Sequence, residues 1–179
     1  MSYYYHIQNG QMQAAFHAPP GSKSFVRIAG ELLPPQISQR HEQFQAWGEM
    51  GLSPGPVLGH RIWLGPQDEL YFHFAGNDEP APLDAVGLAP HLAAWLVLLD
   101  KWMETFVVIA RARAVWTPLE LASALCFTCP PFLPPQLLRE PPDNWARVAH
   151  ALAVAVADAP LAGAPQDRHW QNVTGKTSK

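Results

Sequence analysis

The only two cysteines of the chain, Cys126 and Cys129, sit at C-x-x-C spacing in "LASALCFTCPP". That spacing serves a redox pair, half of a metal site, or neither. A redox pair needs its reactive thiol at a helix N-terminus, where the dipole and free N–H groups stabilise thiolate. Here Thr117, Pro118 and Glu120 mark a helix start well upstream, as N-cap, first-turn proline and capping-box acid. Pro130-Pro131 cannot continue that helix. Both thiols therefore fall at its C-terminal end, where the dipole has the wrong sign. A tetrahedral metal site needs two further ligands, and no histidines stand at ligand spacing. The expectation is a pair of buried structural thiols, with neither a metal nor a cofactor.

Other chemical echoes fail on context. "GLSPG" places Ser53 in G-x-S-x-G, but a nucleophile elbow needs a strand before the serine and a helix after it. Ser53 follows a helical stretch and precedes Pro54, so a helix-terminating turn is expected. "GSKS" at Gly21 and "TGKTS" at Thr174 lack the upstream glycine of a phosphate loop and read as loops. Asn172-Val173-Thr174 is a glycosylation sequon without use in a cytosolic protein.

A sharper candidate gathers Tyr4, His6, Arg61, Trp63, Tyr71 and His73. Alternation along the predicted strands puts them on the less apolar face of a sheet, provided two hairpins lie side by side. Such a patch has the composition of an interface hot spot. It could instead hold a small ligand, or perform acid–base chemistry with Asp68 or Glu69. If helices cover that face, the rings are ordinary core with satisfied polar tips.

The elements that must position these residues are legible in the periodicity. Asn9-Gly10 is the preferred type I′ hairpin turn, because both central positions need positive φ. Setting Gln8 opposite Gln11 pairs Ile7 with Met12, Tyr5 with Ala14 and Tyr3 with Phe16 on one apolar face. Gln8, His6 and Tyr4 fall on the other with Gln11, Gln13 and Ala15. "SFVRIAGEL" reads as a third strand. Residues 36–50 read as a surface helix with Ile37, Phe44 and Trp47 inward. A second hairpin joins "HRIWLG" to "LYFHFAG", with Ile62, Leu64, Phe72 and Phe74 sharing one face.

Beyond residue 87 the period becomes helical. One long helix is predicted, with Leu92, Trp95, Leu96, Leu99, Trp102, Met103, Phe106 and Ile109 on a wide apolar stripe. Along it Asp100, Glu104 and Arg111 read as a solvated strip. Asp100, Lys101 and Glu104 leave no uncharged run long enough to span a bilayer. A helix from Pro118 follows, and Asp143 or Asn144 caps a last one whose inward residues are Trp145, Val148, Ala149, Leu152 and Val156.

Composition bounds the rest. The 179 residues fit one domain able to bury a core, with 48% apolar and only 15% charged residues. That balance excludes a disordered chain. The net charge of -3, with scattered Lys and Arg, offers no footprint for nucleic acid. The N-terminus has neither the basic nor the apolar region of a secretory signal, so a cytoplasmic location is expected. Arg outnumbers Lys eight to four, beside abundant Ala and Pro, as in a high-GC bacterial gene.

The expected fold class is α+β. An antiparallel sheet of 4–5 strands within residues 3–75 packs on helices mainly from the C-terminal half. Residues 1–165 form one domain and 166–179 a flexible polar tail. The expected function is a non-enzymatic bacterial protein-interaction module that binds one cognate protein, of immunity type or a secretion or assembly accessory. Homodimerisation is possible; membrane insertion is not expected. The alternative is a small enzyme or ligand-binding domain built on His6, His73, Tyr71 and Arg61.

Overall fold

The computed structural model describes residues 2–76, 78–139 and 143–158. The polar tail 166–179, the sequon and the "TGKTS" loop therefore lie outside the described residues. The chain folds as α+β, with an antiparallel sheet in its first 75 residues and helices mostly in its second half.

Strands β1 (Ser2–Gln8) and β2 (Gln11–Ala15) form the predicted hairpin, with Asn9 and Gly10 both at positive φ (52° and 70°). The register is the one the turn demands: Gln8 faces Gln11, Ile7 faces Met12, and Tyr5 faces Ala14. Just past the strand, the ring of Phe16 meets that of Tyr3 edge-on at 5.5 Å. Strands β4 (Ile62–Leu64) and β5 (Leu70–Ala75) make the second hairpin, and β5 pairs with β1. With β3 (Lys23–Ser24) on the far side, the order is β2-β1-β5-β4-β3. The two hairpins are therefore neighbours in one sheet.

The third strand is shorter than its sequence suggests. Only Lys23 and Ser24 pair with β4, after which the chain turns into helix α1 (Phe25–Ile28). Phe25 and Ala29 are fully buried and Ile28 is partly so, which is helical rather than alternating spacing. The Phe25 ring packs against Trp95 and Trp102, and that contact outweighs the β-propensity of "FVRI".

Helix α2 (Pro34–Glu49) is the main support of the sheet, not a surface helix. Phe44 and Trp47 are fully buried and both pack on Phe72, on the face shared by Ile62 and Leu64. The same stripe carries two buried polar residues, Arg40 and His41.

The predicted long helix is two helices, α3 (Ala89–Leu99) and α4 (Thr105–Ala112). The break begins at Asp100, whose buried carboxylate accepts from the Thr105 hydroxyl and pairs with Arg147 at 2.8 Å. A buried carboxylate must be satisfied, and the turn delivers those partners. Asp100 is thus a buried carboxylate held by half-buried Thr105 and exposed Arg147, while Glu104 and Arg111 remain exposed. The turn also rotates α4 out of the stripe's register. Phe106 emerges 79% exposed instead of entering the core.

Helix α5 (Pro118–Phe127) begins with the expected capping box. Thr117 N–H donates to Glu120 Oε2 at 2.7 Å, and Glu120 N–H donates to Thr117 Oγ1 at 3.3 Å. Trp116 and Leu121 beside it are both buried. Helix α6 (Asn144–Ala157) turns Val148, Leu152 and Ala155 inward, with Trp145, Ala149 and Val156 only partly covered. Asp143 precedes it at φ 61° without a side-chain cap, while buried Asn144 donates through Nδ2 to the Val97 carbonyl at 3.0 Å.

Candidate functional site

The two cysteines lie at the C-terminal end of α5, away from its N-terminus. Cys126 is exposed and Cys129 half-exposed, at and just past the end of α5, so they are not the buried thiols expected. Cys126 sits on the outer face of α5, whose buried residues are Leu121 and Ala124, and Cys129 follows the helix end. Among the described residues, no cluster of three or more His, Cys, Asp or Glu could hold a metal ion.

The sheet-face candidate is assembled from β1, β4 and β5. Tyr4 lies opposite His73 in the β1–β5 register, and Trp63 lies opposite Tyr71 in β4–β5. Tyr4 meets Trp63 edge-on at 6.0 Å and lies 4.9 Å from the His73 ring. His6 stacks on Tyr71 at 4.3 Å and its Nε2 sits 3.1 Å from Gln13 Oε1. Tyr4, Trp63 and His73 are half-exposed, while His6 and Tyr71, on the same face, are buried. Burial raises the Tyr71 pKa, with Glu69 adding to it. His73 is lowered by burial and by nearby Arg61 and His60, which favours its neutral ring.

Arg61 does not join this group. Its guanidinium lies over the Phe74 ring at 5.4 Å, on the opposite side of the sheet, and its Nε donates to the His73 carbonyl at 2.9 Å. Asp68 is committed to Arg40, whereas the Glu69 carboxylate lies beside Tyr71, both next to Gly65. Asp68 receives Arg40 through its carbonyl and, at 3.3 Å, its carboxylate, and Glu69 Oε2 accepts from Gln67 N–H at 3.0 Å. Glu69 thus approaches the group through Tyr71, while the Asp68 carboxylate faces Arg40.

The helix rings identified above lie on the Ile62–Phe72–Phe74 face. The opposite face carries Tyr4, Trp63 and His73, each half-exposed. Open grooves lie elsewhere on the described residues. One groove of about 510 Å³ runs between α4 and α6 past Phe106, Ile109, Arg113 and Val154.

Another cavity, of about 440 Å³, is lined by Ser53, Gly55, Arg61, Phe74, Asp78 and Glu79. Here the structure adds a pairing absent from the sequence reading. Ser53 Oγ lies 3.1 Å from His91 Nε2, and it accepts from Gly55 N–H at 3.1 Å. His91 sits in the first turn of α3. Burial lowers its pKa, opposed by the Gly55 carbonyl and Asp84. The local turn at Ser53 matches expectation, but 38 residues separate it from His91, and no spacing rule links such positions.

No known family model matches the chain, and neither the curated proteins nor the solved structures contain a match to it.

Proposed function

We propose that the chain is a bacterial protein-interaction module whose contact surface is the aromatic sheet face formed by Tyr4, Trp63 and His73 with His6 and Tyr71. One observation carries this reading: half-exposed aromatic rings from three adjacent strands contact one another on the face opposite helix α2. Trp and Tyr on a rigid sheet present large apolar area at little conformational cost, the profile of a hot spot. None of these five residues lines either cavity described above, which favours a macromolecular partner over a small ligand. The net charge of -3, with scattered Lys and Arg, favours a protein over a nucleic acid as the partner. On this proposal the module binds one cognate protein, as an immunity-type protein or a secretion or assembly accessory.

Affinity capture from the native host with three baits tests it: wild type, Trp63→Glu, and Leu119→Glu as a remote exposed control. The reading expects one stoichiometric protein with the wild type and Leu119→Glu baits, absent with Trp63→Glu. Equal recovery with all three, or none with any, contradicts it.

A second reading, a small acyl-transfer or ligand-binding site, is favoured by the Ser53–His91 pair beside the Arg61-lined cavity. A neutral His91 Nε2 would take the hydroxyl proton as Ser53 Oγ attacks an electrophile. A fluorophosphonate probe reads this directly, since Oγ–phosphorus bond formation releases fluoride and passes the proton to His91. Labelling at Ser53 that is lost in His91→Gln supports the reading; an unlabelled chain removes it.

A further inference from the structure

The two edges of the sheet are treated differently. At one edge β3 is two residues long and runs directly into α1, which shortens and blunts it. At the other edge lies β2, five residues paired on one side only. Its sequence, Gln11-Met12-Gln13-Ala14-Ala15, has no lysine, no proline and no charge, and its one-to-one register with β1 has no bulge. The usual devices that discourage strand addition are missing from it.

The hairpin geometry says which backbone groups are free. In a two-residue hairpin the residues flanking the turn exchange both hydrogen bonds, so Gln11, Gln13 and Ala15 direct their N–H and C=O groups to β1. Met12 and Ala14 direct theirs outward. Met12 and Phe16 are also large exposed apolar side chains, 40% and 47% accessible, on the side of the sheet that bears Tyr3 and Tyr5.

We propose that β2 pairs antiparallel with β2 of a second copy about a two-fold axis at Ala14. That register aligns the outward groups of Ala14 with those of its mate and places Met12 of one copy beside Phe16 of the other. Small Ala14 side chains meet at the axis, and exposed apolar groups cover one another. No like charges are opposed, because the segment carries none. The strand is thus complementary to itself, as a two-fold interface requires. The axis runs through the sheet, so the aromatic faces of both copies lie on the same side. The pairing does not depend on what that face binds.

Sedimentation equilibrium on the full chain, over a wide concentration range, tests the proposal with two charge variants and a backbone variant. The wild type is expected at twice the 19.8 kDa chain mass. Met12→Lys/Phe16→Lys and Met12→Glu/Phe16→Glu are each expected at the monomer mass, and an equimolar mixture of the two is expected to regain the dimer mass. Ala14→Pro removes an outward N–H without removing a β1–β2 bond and is also expected at the monomer mass. Far-UV circular dichroism matching the wild type establishes that each variant is folded. A wild type that stays monomeric, or a dimer that survives in all three folded variants, overturns the proposal. A Trp63→Glu chain that loses its captured protein yet remains dimeric separates this interface from the aromatic face.

Discussion

Trp95 Nε1–H donates to His41 Nδ1 at 3.0 Å, and the other nitrogen of that fully buried ring, Nε2, donates to the Val108 carbonyl at 3.2 Å. Both ring nitrogens are occupied only if His41 is neutral with its proton on Nε2, since Nδ1 must accept from the indole. The ring ties α2 to α3 and α4 at the centre of the molecule.

Burial lowers the His41 pKa from 6.5 to about 4, against the opposing pull of the Val108 carbonyl. The unfolded chain therefore binds this proton before the folded chain does. Stability contributed by the neutral ring is complete above pH 6.5 and is lost as pH falls from there through 4. The loss amounts to about 3 kcal/mol at its limit. Urea unfolding at a series of pH values should show this decline. His41→Asn should flatten it while lowering stability at pH 7. His73 and His91, shifted in the same direction by burial, contribute the slope that remains.

Arg40 fastens the β4–β5 turn to α2. Its Nη1 donates to Gln43 Oε1 at 2.9 Å and to the Asp68 carbonyl, where Gln43 Nε2 also donates at 2.9 Å, and Asp68 sits at φ 67°. Arg40→Ala should cost about 3 kcal/mol in chemical denaturation, because a buried anchoring group and its partners are lost together. Arg40→Lys should recover little of this, since an ammonium lacks the planar fork that reaches both partners.

Gly65→Ala tests the packing around Tyr71. A Cβ there would lie 2.7 Å from Tyr71 Cε2 and would also strike the Glu69 carboxylate. The ring stacked on His6 must then move. A stability loss of about 1–2 kcal/mol is expected, together with a shift in the His6 ring resonances by NMR.

Replacement of both cysteines by serine should be nearly silent. Neither thiol is buried, so the double variant should unfold within about 0.5 kcal/mol of the wild type. Both thiols should react readily with a thiol reagent in the native state.

The parts of the fold that were legible in sequence are those set by local geometry. Asn9-Gly10 specified a turn, the turn specified a register, and the register placed Tyr3, Tyr5 and Ile7 inward. Thr117-Pro118 with Glu120 specified a helix start in the same way. Errors arose where a distant partner outweighed local preference. Phe25 leaves the strand to reach Trp95 and Trp102, and Asp100 breaks a continuous apolar stripe to meet Thr105 and Arg147. Arg40 and His41 did carry a signal. They occupy core positions between Ile37 and Phe44 at helical spacing, and polar residues on such a stripe announce buried hydrogen bonds. For the candidate site, alternation placed Tyr4, His6, Trp63, Tyr71 and His73 together. It failed for Arg61, whose long side chain crosses to Phe74. The contact between Ser53 and His91 depends on how the sheet and α3 pack, which no local pattern encodes.

If the aromatic face is a hot spot, Trp63→Ala should weaken the captured partner by about 30-fold, equivalent to about 2 kcal/mol. Thermal unfolding should change little, because the ring is half-exposed. Titration calorimetry against the captured protein checks both the size and the specificity of this effect, with Leu119→Ala as the neutral comparison.

The most direct measurement is photocrosslinking in living cells with p-benzoylphenylalanine in place of Trp63, an aromatic that preserves the face, and in place of Leu119 as a control. The account predicts one adduct of discrete mass from position 63 and none of that mass from position 119. Irradiation that yields no adduct at position 63, or the same adducts from both positions, contradicts the claim that this sheet face binds a partner protein.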